Sequence, residues 1–274
     1  MGIAEDILGH DGWHAALAAL AWQHDLGVTE VIGDGPVNRY ELPEAVAKPA
    51  AVAVAVAIPA KRGAVAPVVQ MAGPDPVAVA RDLAARAGTL EELRAALAGF
   101  ELCELKRGAK SLVFADGTPG ARVMVIGDAP GREEDSEGLP FVGRAGQLLD
   151  RMFAAIGMGR QSPDLRSALY VAPVMPWRPP QDRDPTMDEI AMMQPFLARH
   201  VELAGPDLIV VMGNTPCAAV LGQRGITRMR GNWGTAFGRP VLPMVHPDYL
   251  LRNPSAKREA WADLLALQAR LRQG

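Results

Sequence analysis

Two stretches of the chain carry side chains suited to chemistry. The first is Gly127-Asp128-Ala129-Pro130-Gly131, continuing as REEDSEGLPFVGRAGQLLD. Its glycines and proline force a tight loop in which backbone can approach a ligand, with the Asp128 carboxylate at its centre. The spacing is G-x-x-x-G interrupted by proline, not the GxGxxG of dinucleotide binding. The plain alternative for Asp128 is a turn residue or helix cap. The second stretch is His246-Pro247-Asp248-Tyr249-Leu250-Leu251-Arg252-Asn253-Pro254. A histidine at this point can bond an oxygen that gains negative charge during a reaction. After it Tyr249, Leu250 and Leu251, read as exposed, stand beside Arg252, Lys257 and Arg258. An apolar wedge flanked by bases suits entry into a nucleic-acid duplex while phosphates are held. Leu250 and Leu251 are equally suited to open the core of a final helix. The REED run with Arg132, Arg144 and Arg178 reads as a solvated face, and Gln147 and Asp150 as surface residues.

Both stretches follow segments that read as strands. RVMVIG (122–127), LYVAPV (169–174), LIVVMG (208–213) and VLPMV (241–245) are apolar throughout, as strands covered on both faces should be. Helical patterns occupy 143–157, 186–204, 214–222 and 257–272, and an earlier one begins at Val77 and runs through Leu83, Leu90, Leu93 and Leu97. The alternation predicts an α/β fold: a three-layer αβα sandwich around a central, mainly parallel four-stranded sheet with right-handed crossovers. Ligands in such sheets bind at the carboxyl ends of the strands. That rule selects Gly127–Gly131, Pro173–Pro180, Gly213–Pro216 and His246–Asn253.

Upstream, residues 1–42 are expected to form an N-terminal helical extension, with Trp13, Leu17, Leu20 and Ala21 at near-helical intervals. Residues 43–76 read as an Ala/Val/Pro-rich linker and 77–274 as the main domain. The chain's 274 residues are 49% hydrophobic and 22% charged, enough for a substantial core and against wholesale disorder. Lys plus Arg (28) nearly balances Asp plus Glu (31), so any nucleic-acid site must be a local patch. Cys103 and Cys217 make neither a disulfide framework nor a zinc spacing. The start, MGIAEDILGHDGWHAAL, lacks a signal-peptide pattern, and the longest apolar run, 50–60, is too short to cross the roughly 30 Å of a bilayer as a helix. The expectation is a cytoplasmic protein without a membrane partner.

Taken together, GDAPGREEDSEGLPFVGRAGQLLD, YVAPVMPWRPPQDRDPT, EIAMMQPFL, GITRMRGNW and HPDYLLRNPS resemble the family-four, iron–sulphur type of the uracil-DNA glycosylase superfamily over roughly residues 97–272. The resemblance implies a DNA repair protein, a monomer, that flips a uracil or other deaminated base out of single- or double-stranded DNA and hydrolyses its bond to the sugar. By position in the motifs it implies Asp128 and His246 as catalytic residues. Gly127, Ala129, Phe141 and Pro173 would contact the base, Phe141 as an aromatic platform. Tyr249, Leu250, Leu251, Arg252 and Lys257 would contact DNA.

The sequence departs from the family pattern at three places. The family's four cluster cysteines correspond to Phe100, Cys103, Trp177 and Met193, so Cys103 is the only ligand position kept. No metal site and no cofactor are expected, the large apolar side chains filling the cluster's volume. Cys217 matches no ligand position and reads as an ordinary buried cysteine. Asp128 stands where the family usually has glutamate, one methylene longer. Pro173 stands where an asparagine reads the edge of uracil, and proline offers neither a side-chain amide nor a backbone donor.

Overall fold

The computed structural model describes residues 74–273. The expected N-terminal extension, and the expected linker up to residue 73, lie outside the described residues. The described residues open with α1 (Pro76–Arg86), whose N-cap Asp75 accepts from the Val77 amide. Next come α2 (Leu90–Gly99), capped by Thr89, and the single turn α3 (Leu105–Gly108). The remaining elements are β1 (Asp116–Gly117), β2 (Val123–Gly127), α4 (Arg132–Glu137), α5 (Gly143–Ala154), β3 (Leu169–Pro173), α6 (Met187–Ala204), β4 (Leu208–Met212), α7 (Asn214–Leu221), α8 (Ile226–Met229), β5 (Gly234–Ala236), β6 (Arg239–Met244), α9 (Pro247–Arg252) and α10 (Lys257–Gln273). Proline at the first helical position starts α1 and α9, where the missing N–H costs nothing.

One six-stranded sheet has the order β1-β3-β2-β4-β6-β5. The four expected strands form its parallel centre, with Val125 opposite Val171 and Val210, and Val210 opposite Leu242. The expectation of four strands is corrected by two short antiparallel edges, β1 on β3 and β5 on β6. Strands of two and three residues are too short to show periodicity in sequence.

Side chains of the central strands alternate between two apolar layers, as period 2 requires. Met124, Ile126, Tyr170, Ala172, Ile209 and Val211 face α1, α2, α6 and α7 through Ala84, Leu93, Phe196 and Ala219. Val123, Val125, Leu169, Val171, Val210 and Met244 face α5 and α10 through Leu149, Phe153, Leu264 and Leu267. The result is the expected three-layer sandwich. The chain goes from β2 to β3 on one side and then to β4 on the other. This leaves a topological switch point at the carboxyl ends of β2 and β4, where open α/β sheets place their ligands.

Candidate active site

A cleft of about 820 Å³ opens at that switch point, lined by Asp128, Ala129, Phe141, Pro173, Thr215 and His246 among others. Of the residues expected to act, the structure brings Asp128, Ala129, Phe141, Pro173 and His246 together with Tyr249, Leu251 and Arg252 in the lining of this cleft.

Asp128 leaves β2 and turns toward the start of α7, where its Oδ1 accepts from the Thr215 amide at 3.2 Å. Gly213, the residue between β4 and α7, holds φ 114° and makes this approach possible. A Cβ there would stand 2.4 Å from Asp128 Oδ2. Burial pushes the Asp128 carboxyl above its ordinary 3.8, opposed by the nearby His246 and by hydrogen bonds from Thr215.

His246 follows β6 and caps α9: its Nδ1 accepts from the Asp248 amide at 3.2 Å. An accepting Nδ1 carries no proton, so in the neutral ring the proton sits on Nε2 and is free to be donated. Burial lowers the His246 pKa from 6.5, with Asp128, Asp248 and Glu134 pulling the other way, and the ring is neutral at pH 7.

Phe141 forms the cleft's aromatic wall. Its ring lies 5.2 Å from the His246 ring at an interplanar angle of 23°. It also covers Gly127, where a Cβ would stand 2.3 Å from the ring. Glycine at the end of β2 is therefore what lets the platform sit against the strand.

Other expectations change. Leu250, read as exposed, is buried against Val245 and Ala260, because α9 turns that face onto α10. Tyr249 is 36% exposed and Leu251 partly so, leaving these two as the exposed apolar side chains of this helix. Lys257 is exposed but is not part of the cleft wall. Arg252 pairs with Asp248 at 2.6 Å, one turn earlier. Arg178, expected on a solvated face, is tied to Asp182 at 2.6 Å in the loop after β3, while Arg144 joins the cleft wall. The chemically placed residues that sequence reasoning passed over are Gly213 and Thr215. Their segment was selected by the carboxyl-end rule, but nothing in it signalled a contact with Asp128.

A doubly wound α/β sandwich with a carboxylate and a neutral histidine at its switch-point cleft is a hydrolase-like frame. Comparison identifies it further. Residues 114–265 match the model of the uracil DNA glycosylase superfamily, and the chain belongs to that family. Among its relatives, the type-4 uracil-DNA glycosylase of Thermotoga maritima is 37% identical over 158 residues, covering 56% of this chain and 78% of the relative. Those of Sulfurisphaera tokodaii and Archaeoglobus fulgidus are 32% and 31% identical, over 62% and 64% of this chain and 79% and 89% of their own lengths.

A [4Fe–4S] cluster is held by four thiolates. Phe100, Cys103, Trp177 and Met193 are all buried in a single apolar layer. A void beside Met193 and Phe196 measures about 20 Å³, about enough for a single water. One thiol and three side chains that offer no thiolate do not fit the group.

Proposed function

We propose that this protein is a uracil-DNA glycosylase that hydrolyses the N-glycosidic bond of a flipped-out uracil or other deaminated base, without an iron–sulphur cluster. Its partner is DNA. The observation that carries the reading is the convergence of Asp128 and His246 at one cleft, the histidine's proton fixed on the side away from its helix.

Extruding the base costs a few kcal/mol, and stacking on Phe141 returns about 1–3 kcal/mol of that. As the bond breaks, positive charge develops on the sugar and negative charge on the uracil. Asp128, one oxygen bound to Thr215, uses the other to hold a water and to stabilise the sugar cation. The water oxygen bonds to the sugar carbon, its proton passes to the carboxylate, and the bond's electron pair leaves with the uracil. The Nε2–H of His246 donates to the uracil oxygen that carries this charge.

A second reading, a DNA-binding member that excises slowly, is favoured by Pro173, which lines the cleft where the family reads uracil's edge. Discrimination by a buried amide is absent there, so rejection of other bases rests on shape and backbone. Incubation with oligonucleotides containing uracil, hypoxanthine or xanthine, followed by alkaline cleavage of abasic sites, separates the two. Product that disappears in Asp128→Ala supports the enzyme. Salt-sensitive DNA binding with no product from any base supports the second reading.

A further inference from the structure

Phe141 holds a backbone conformation that a bulky aromatic residue rarely adopts, φ 50°. Such left-handed geometry is strained for a bulky side chain and persists only where the surroundings impose it. Here the imposition comes from behind the loop. Arg160, between α5 and β3, donates from Nη2 to the Phe141 carbonyl at 2.9 Å and from Nη1 to the Pro140 carbonyl at 3.0 Å.

The other donors of the same guanidinium are also used. Nε and Nη2 bind the two oxygens of Asp150 at 2.8 Å each, and Nη1 binds Asp116 at 2.9 Å. These five bonds engage every N–H that a guanidinium has. Asp150 belongs to α5 and Asp116 to β1, so the loop is tied to a helix and to the edge of the sheet. The Arg160 side chain is 10% exposed. From the opposite direction, the first turn of α5 presses on the same carbonyl. A Cβ on Gly146 would stand 1.7 Å from the Phe141 oxygen.

We propose that Arg160 is a positioning residue. Through the Pro140 and Phe141 carbonyls it fixes the aromatic platform against Gly127 and His246, in the geometry that the extruded base meets. The assignment of a base to that platform rests on the functional reading above; the clamp itself does not. Lysine keeps the charge but has three donors and no planar fork, so it cannot hold two carbonyls and two carboxylates together.

The test uses the full chain with Arg160→Lys and, as a milder change, Asp150→Asn, each alone and with Phe141→Ala. Amide exchange over residues 140–146 should quicken about tenfold or more while exchange in β4 is unchanged. Single-turnover excision should slow roughly tenfold to a hundredfold, with DNA affinity kept within about threefold, because every Arg160 donor is engaged within the protein and none is left for a phosphate. In the Phe141→Ala background Arg160→Lys should change excision by less than about twofold. Exchange that stays unchanged over 140–146, or rises equally across β4, overturns the proposal, as does a full loss of rate on top of Phe141→Ala. A wild-type protein that releases no base would fail the functional reading alone, and the exchange comparison would still decide the clamp.

Discussion

Replacing Gly213 by alanine is the sharpest way to move Asp128 without touching it. The new Cβ would meet Asp128 Oδ2 at 2.4 Å, Oδ1 at 2.7 Å and Cγ at 2.8 Å. The carboxylate must then retreat by about 1 Å to reach ordinary contact, and the 3.2 Å bond from the Thr215 amide is lost with it. A displacement of that size costs about a hundredfold in rate when the displaced group positions the attacking water. Backbone strain adds a separate cost, since alanine at φ 114° is disfavoured by about 1–3 kcal/mol. Gly222→Ala is the control. It also has positive φ, 68°, but its Cβ would meet nothing within 4 Å. The assay is single-turnover excision of uracil from an oligonucleotide, beside DNA affinity by fluorescence anisotropy and stability by urea unfolding. Gly213→Ala should lose about two orders of magnitude in rate at unchanged affinity. Gly222→Ala should lose stability alone. If Gly213→Ala kept its rate, or Gly222→Ala lost as much, the placement of Asp128 against α7 would not be what drives the reaction.

Other consequences can be measured directly. Excision should fall in acid, with its limb above the ordinary carboxylate value of 3.8, because burial raises the Asp128 pKa from there, while burial lowers His246 from 6.5 and keeps its ring neutral at pH 7. A limb centred at or below pH 3.8 would contradict the raised carboxyl. His200 is buried, bonded to the Tyr170 hydroxyl at 2.9 Å, and its pKa is lowered by burial to about 3 from 6.5. Between those values the unfolded chain binds more protons than the folded one, so stability falls with pH, by about 2 kcal/mol from pH 7 to pH 5. Urea unfolding at the two pH values should show this component in the wild type and its loss in His200→Phe. Leu250→Ala should cost about 2–4 kcal/mol in the same assay. Leu251→Ala should be nearly neutral for stability and weaken DNA binding in anisotropy, and the reverse pattern would place the wedge on the wrong residue.

The parallel centre of the sheet was legible because continuous β-branched runs have few other readings, and the carboxyl-end rule then located the cleft. The short edges β1 and β5 left no trace, since their pairing is decided by the long strands beside them. Leu250 and Leu251 are adjacent and chemically alike, and only the rotation of α9 separates a buried residue from a partly exposed one. Asp150 reads as a surface residue and is half exposed, yet it anchors Arg160. That partnership depends on a turn bringing together positions ten apart, which no spacing rule for helices or strands supplies. Phe141 was found through the family motif, whereas its left-handed backbone is imposed by distant neighbours and cannot be read locally.

The cap on α9 carries a wider implication. The hydrogen bond that begins this helix is also the one that assigns the imidazole its tautomer. Proton placement is thereby settled at folding, and under the proposed reaction the donor is set before any base arrives. A substitution that removes Nδ1 would therefore uncap the helix and release the tautomer in one change.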